Sequence, residues 1–482
     1  MNLIGDPWIP VLDGDGRARL LGLGEVYGRG EDIRDLALPP LQRIGVMRLL
    51  LCITHAALDG PQDEDDWRAC RPRIGPASLA YLRQRHERFE LYGQHPFLQV
   101  GGLKPLDGKE LQNAPLDKLD FGLAAGDNDT LYDHAANGEP RVHPPAWQAL
   151  NLLVMQLFAQ SSSRITRACW GGRVTPGSPK HAPAAVESAL HAFLRAGNLL
   201  DSLHLNLVTR EDVVAPWGKP VWDVEIPHHE SPEATDVRES FLGRLVPLAR
   251  GILLRPGSAE FTLVAGLEYE RPPDGRETMA TVVLKPRKGK MELGYLGVNL
   301  SRHPWRDVES VLALSGAGAA GGPLSLRHLL RDPDLGTVDV WLGGLRLEKS
   351  AKVVDTAEWV FTVPNGLLAE DAMATYRAGV ELAEDGETRV CAAVAKWAGT
   401  LQVGKDQLPG YRSRVVRSYW SALDARCGVL VEAACSAGAD LAPWRKVVSA
   451  SMHRAYKAGC AHTTPRQIQA FARGRPPALS RG

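Results

Sequence analysis

An α+β fold, with a large mixed α/β N-terminal domain followed by a separate helical bundle, is predicted for this chain by three patterns. Two long apolar stretches, Pro39 to Ala57 and Trp147 to Ala159, have the length and periodicity of buried helices. Strand-like runs fill the middle, among them Glu260 to Val264, Thr278 to Leu284 and Val338 to Leu342, each bounded by Gly, Pro or charged turns. After Pro364-Asn365-Gly366 the strand patterns stop and only helical ones follow. The expected division is therefore 1–365 for the mixed domain and 366–482 for the bundle.

Taken in order, the chain begins with a hairpin. Trp8, Ile9 and Val11 suit a half-buried pleated surface, and Pro10, which has no N–H, places that strand at a sheet edge. Asp13-Gly14-Asp15-Gly16 supplies the turn, and Arg17 to Leu21 the return. In the first helix Pro39 and Pro40 stand at the start, and Leu41, Ile44, Met47 and Leu51 recur on one face. Asp120 to Pro145, rich in Gly, Asp, Asn and Pro, reads as a long loop before the second helix. In the tail, helical patterns cover Leu367 to Ala383, Glu387 to Trp397, Tyr411 to Ala437 and Pro443 to Ala458. These suit an up-and-down bundle.

Charge excludes a free-standing basic DNA binder, because 56 Lys and Arg balance 56 Asp and Glu over 482 residues. The positive charge is instead local. From Tyr411 to Gly482 twelve basic residues stand against three acidic ones, which fits either a phosphate-facing tail or a solvated helix face. Seven scattered cysteines contain no C-x-x-C pair, so neither a zinc knuckle nor a disulfide frame is expected, and buried thiols are. Asp6 and Pro7 interrupt any secretory core, and Leu49 to Ile53 is too short to span a bilayer; a cytoplasmic protein with no membrane partner is expected. Enzyme signatures are missing as well. Glu64-Asp65-Asp66 and His228-His229-Glu230 have no matched partner motif, and no H-E-x-x-H, G-x-S-x-G or Gly-Lys-Ser/Thr loop occurs, so a metal-dependent nuclease is the weaker reading.

The opening Asn2-Leu3-Ile4-Gly5-Asp6-Pro7-Trp8-Ile9-Pro10-Val11 and the later His95-Pro96-Phe97-Leu98-Gln99 resemble the CasA family, the large subunit of the type I-E CRISPR Cascade complex. Leu38-Pro39-Pro40, Gly197-Asn198-Leu199-Leu200 to Asn206-Leu207, and Gly343-Gly344-Leu345-Arg346 follow in that family's order. The resemblance implies a C-terminal four-helix bundle after the α/β domain. It also implies a non-catalytic, cofactor-free subunit that reads the protospacer-adjacent motif (PAM) of double-stranded DNA, promotes duplex opening and R-loop formation, and recruits a helicase-nuclease. Other Cascade subunits and a guide RNA are the further implied partners. A scaffolding subunit of a related RNA-guided complex that does not read the PAM is the alternative.

Residue roles come from the same resemblance. Thr130-Leu131-Tyr132-Asp133-His134 matches the loop that docks on the guide-RNA handle, with Tyr132 and His134 as stacking and hydrogen-bonding groups. Gly171, Gly172 and Arg173 match a glycine-containing loop at the minor groove, although a tight turn explains the glycines equally well. In Lys285-Pro286-Arg287-Lys288-Gly289-Lys290, Arg287 or Lys288 is the PAM-reaching cation, with the other charges on phosphates; a solvated basic turn is the plain alternative. Glu348, Lys349 and Ser350 fall at the wedge that parts the first base pairs. Lys349 stands where relatives often carry Gln, and it lacks the amide's paired donor and acceptor. Arg412, Arg414, Arg417 and Arg473 are the bundle's candidate phosphate contacts. Some relatives carry a cysteine-rich zinc insertion, but no cysteine lies between Cys169 and Cys391, so no zinc is expected.

Overall fold

The computed structural model describes the chain except for residues 107–109, 112, 124–140, 163, 273–275, 314–319, 332–334, 349–351, 437, 439, 478 and 480–482. Helix and strand mix as the sequence predicts, in two compact units. The first comprises Met1–Ser301, Ser310–Asp332 and Val338–Thr362; the second comprises Arg302–Glu309, Pro333–Thr337 and Val363–Gly482.

The N-terminal hairpin forms, but the expected edge position is wrong. Ile9–Asp13 is the middle strand of three, between Ala18–Leu21 and Ile33–Leu36, and both pairings are antiparallel. Pro10 is tolerated because its carbonyl still accepts, from the Ala37 N–H at 2.9 Å. The third strand arrives from later in the chain, so local pattern could not show it. Asp13 organises the turn: its carboxylate accepts from the backbone N–H groups of Asp15 and Arg17 and from Arg19 Nε at 2.7 Å. The Arg19 hydrogen bond, with the backbone bond from Arg17, holds that carboxyl below its usual range.

Asn2 and Trp8 brace this corner. The Asn2 amide donates to the His86 carbonyl at 3.0 Å and to Glu90 Oε1 at 2.9 Å, while the buried Trp8 indole donates to the Leu3 carbonyl at 2.8 Å. The His95-to-Gln99 motif is likewise structural. Gln99 donates from Nε2 to the Leu91 carbonyl and accepts the Leu254 N–H on Oε1, and Phe97 stacks on Phe89 with centroids 5.1 Å apart.

The core helix is Pro40–Leu58, packed on the Pro145–Phe158 helix with Gly45 against Leu153. By length and composition it could cross a membrane, yet 78% of its apolar window is buried inside the protein. Arg48 explains why the pattern is not lipid-facing. Fully buried, it pairs with Glu277 at 2.6 Å and donates to the Leu245 and Arg244 carbonyls at 2.7 and 2.9 Å. Burial alone would raise the Glu277 carboxyl, but the charges of Arg48 and Arg244 prevail and hold it below its ordinary value.

In the second unit, Glu370–Leu401 packs against four further helices: Leu408–Asp424, Gly428–Cys435, Ala442–Gly459 and Pro465–Gly474. Two expected helices, Leu367 to Ala383 and Glu387 to Trp397, merge into Glu370–Leu401. Gly386 lies within it at a close approach: the Tyr419 hydroxyl lies 2.3 Å from where a Gly386 Cβ would stand and donates to the Ala383 carbonyl at 2.7 Å. The run from Tyr411 to Ala437 divides in two between Asp424 and Gly428. The Pro465–Gly474 helix escaped the sequence reading although its capping box, Thr464 with Gln467, was present as a signal.

A short upstream segment completes the unit. Trp305 donates to Asp424 at 2.7 Å and accepts from the Tyr376 hydroxyl on its carbonyl, and Arg306 lies 3.4 Å over the Trp420 ring. All seven cysteines are free thiols; Cys52, Cys70 and Cys460 are buried, but Cys435, ending its helix, is exposed, contrary to expectation.

Candidate nucleic-acid interface

The basic segment folds as an antiparallel hairpin, Val282–Arg287 with Lys290–Tyr295. Lys288 and Gly289 form its two-residue turn with φ of 46° and 78°, the left-handed pair that matches strand twist in tight hairpins. A non-glycine residue held there presents its side chain at the very tip. Lys288 is exposed and, among the described residues, has no ion-pair partner.

Lys290, across the turn, is likewise exposed and without an ion-pair partner among the described residues, but the basic residues on the strand before the turn are committed elsewhere. Lys285 Nζ sits 3.0 Å from Glu187 Oε2, and Arg287 Nη2 and Arg271 Nη2 each sit 2.5 Å from Glu187 Oε1. The geometry therefore separates two candidates that the sequence left equal: Arg287 is engaged with a carboxylate and Lys288 is not. No local signal marked Glu187, which reaches the hairpin from about a hundred residues upstream in the chain.

The glycine pair is also a tight hairpin turn, between Cys169–Trp170 and Arg173–Val174, with φ of 55° at Gly171 and 84° at Gly172. The two glycines differ. A Cβ on Gly171 would stand 1.9 Å from the Pro227 carbonyl oxygen, whereas one on Gly172 would meet nothing within 4 Å. Gly171 is required by packing, and Gly172 is the open position where backbone could approach a groove.

Arg173 is exposed and lies 3.6 Å from Glu230, while His229 Nε2 lies 3.1 Å from the Val174 carbonyl. The His228-His229-Glu230 run is thus a platform under this turn. Among the described residues no group of three or more His, Cys, Asp or Glu is placed to hold a metal ion.

The wedge candidate lies on a sheet ordered Lys352–Pro364, Thr337–Glu348, His191–Arg195. Glu348 is the exposed last residue of its strand. Lys349 and Ser350, like Tyr132 and His134, lie outside the described residues. Two residues anchor the strand below Glu348: the Leu347 N–H donates to Ser188 Oγ at 2.9 Å, and Gly344 lies against the Ala189 carbonyl. In the helical unit Arg412, Arg414 and Arg417 project from Leu408–Asp424 and Arg473 from Pro465–Gly474; all four are exposed, and among the described residues none makes an ion pair.

The family model for CRISPR-associated protein Cse1 matches residues 2–455. The chain belongs to the CasA/Cse1 family. CasA/Cse1 of Thermus thermophilus is 32% identical over 508 residues, spanning 98% of this chain and 95% of the relative. The crystal structure of Thermus thermophilus CasA superimposes with a TM-score of 0.77 at 26% identity, covering 98% of this chain and 97% of that one. Thermobifida fusca Cse1 shares the fold at a TM-score of 0.80, with 21% identity and coverage of 98% and 95%. So does a chain of a CRISPR RNA-guided surveillance complex, at 0.76 and 18% identity, with 98% of each covered. Membership rests on the match over most of the chain, and the candidate residues fall within the matched length except Arg473, which lies beyond it.

Proposed function

We propose that this CasA/Cse1 protein is the non-catalytic large subunit of a cytoplasmic type I-E RNA-guided surveillance complex and recognises the PAM of double-stranded DNA. The observation that carries the reading is Lys288, an exposed lysine without an ion-pair partner among the described residues, held at a hairpin tip by a left-handed backbone. A cation at the tip of a narrow hairpin can enter a groove, where a few donors read a coarse code, while base pairing with the guide supplies the rest of the sequence. Gly172 offers a second close backbone approach. On this reading residues 1–365 bind PAM and guide handle, the latter through Tyr132 and His134. Glu348, Lys349 and Ser350 part the first base pairs, which starts R-loop formation. Residues 366–482 hold DNA phosphates through Arg412, Arg414, Arg417 and Arg473, and the assembly recruits a helicase-nuclease.

The test is a guide-loaded complex carrying Lys288→Ala with Lys349→Ala. Affinity for a PAM-bearing duplex should fall about tenfold, consistent with loss of one or two groove contacts, while guide loading survives. Undiminished affinity would exclude both residues from PAM contact. One observation favours a scaffold that does not read the PAM: Gly171 and Arg287 already have structural duties, against Pro227 and Glu187. Equal affinity of the unmodified complex for PAM-bearing and PAM-less duplexes would support that account.

A further inference from the structure

Glu187 sits where two candidate DNA-facing hairpins meet. Its carboxylate, 15% exposed, receives Arg271, Lys285 and Arg287, and Oε2 also accepts the Tyr295 N–H at 3.0 Å. The opposing strand leaves room for it: a Cβ on Gly294 would stand 2.7 Å from Glu187 Oε2 and 2.8 Å from Lys285 Cδ. Glu187 and Ser188 both adopt left-handed backbone, φ 56° and 54°, a conformation that costs energy for residues with a side chain and persists only where surroundings enforce it. The surroundings here are both hairpins. Ser188 Oγ accepts the Leu347 N–H of the wedge strand, and the Ser188 carbonyl accepts the Val298 N–H at 2.8 Å.

We infer that Glu187 is a specificity-determining positioning residue: it turns Arg271, Lys285 and Arg287 inward, away from phosphates, so that the hairpin meets DNA through Lys288 and Lys290 at its tip. This rests on the reading of Lys288 as a PAM contact. Three cations free to swing onto any phosphate would add affinity without sequence information, since phosphate contacts do not discriminate. Held on one carboxylate, they stiffen the hairpin and leave only the two lysines of its tip, Lys288 and Lys290, forward. Burial pushes the Glu187 carboxyl up, but Lys285 and Arg271 with the Tyr295 N–H more than offset that and keep it ionised.

The experiment measures binding of PAM-bearing and PAM-less duplexes to the guide-loaded complex across a salt series. With Glu187→Gln, PAM discrimination should fall several-fold while the salt slope on the PAM-less duplex steepens by about one to two, as released cations reach phosphates. A merely structural role would weaken both duplexes alike. Discrimination and slope both unchanged would overturn the inference. Lys288→Ala separates the two levels: if it leaves discrimination unchanged, the reading beneath the inference fails, whatever Glu187→Gln does. Should Glu187→Gln prevent assembly, Lys285→Gln with Arg287→Gln decides. Removing cations already turned inward should move the slope by less than about a half, and a drop of about two would overturn the proposal.

Discussion

His55 and His191 are fully enclosed, and each is held neutral by burial, its pKa lowered to about 4. His55 shows the consequence in its hydrogen bonds: Nδ1 faces the Gly60 carbonyl at 3.0 Å while Nε2 faces the Val208 N–H at 3.4 Å, so the ring donates once and accepts once and has no place for a second proton. For His191 the Arg48 charge adds to burial. Because folded values lie below the unfolded value of 6.5, the unfolded chain binds more protons in the interval. Stability is complete above pH 6.5 and falls as pH drops toward 4, by up to about 3 kcal/mol for each histidine. Glu277, lowered from 4.5, holds its contribution above that value and loses it only below. Thermal melting from pH 7 to 4 should show a shallower slope in His191→Gln than in the unaltered protein; identical slopes would remove His191 as a source. None of this was legible in sequence, because a histidine's burial is set by elements that meet it from elsewhere in the chain.

At the scale of elements, the tight hairpins were partly readable. Gly171-Gly172 signals a turn in any sequence, yet only the folded chain brings the Pro227 carbonyl against Gly171 and leaves Gly172 open. Gly171→Ala should therefore lower stability by about 2–3 kcal/mol, through overpacking as well as backbone strain, and Gly172→Ala by about 1 kcal/mol from backbone strain alone. Equal losses in thermal denaturation would contradict this assignment. The Lys285-to-Lys290 run shows the same limit. A basic turn between two strand patterns was visible, but the sequence could not tell an engaged arginine from a lysine left without an ion pair, because Glu187 arrives from a distant turn.

For the whole molecule the local positive charge of the tail becomes concrete. Arg412, Arg414 and Arg417 share one helix, and among the described residues none makes an ion pair, so their charge is available to phosphates. With all three changed to Gln, binding to any duplex should weaken and the salt slope should fall by about two to three, with PAM discrimination unchanged, since each phosphate contact contributes about 0.9 to the slope. A loss confined to PAM-bearing DNA would place these residues at the reading site instead. The same unit contains a departure no periodicity could indicate. Arg302–Glu309 belongs with helices that begin some sixty residues later, held by Trp305 on Asp424 and Arg306 on Trp420.

Sequence alone determined the mixed α+β class, the change to helices after Gly366, and the family signature, since periodicity, turn chemistry and short motifs are local properties. The signature Asn2-to-Trp8 proved to be a brace: its asparagine and tryptophan close the N-terminal corner on His86, Glu90 and Leu3. Tertiary structure alone decided which candidate cations are held and which are left forward. That choice depends on Glu187, as the closing of Gly171 depends on the Pro227 carbonyl; the approach of both is fixed by packing over long separations and leaves no trace in neighbouring residues.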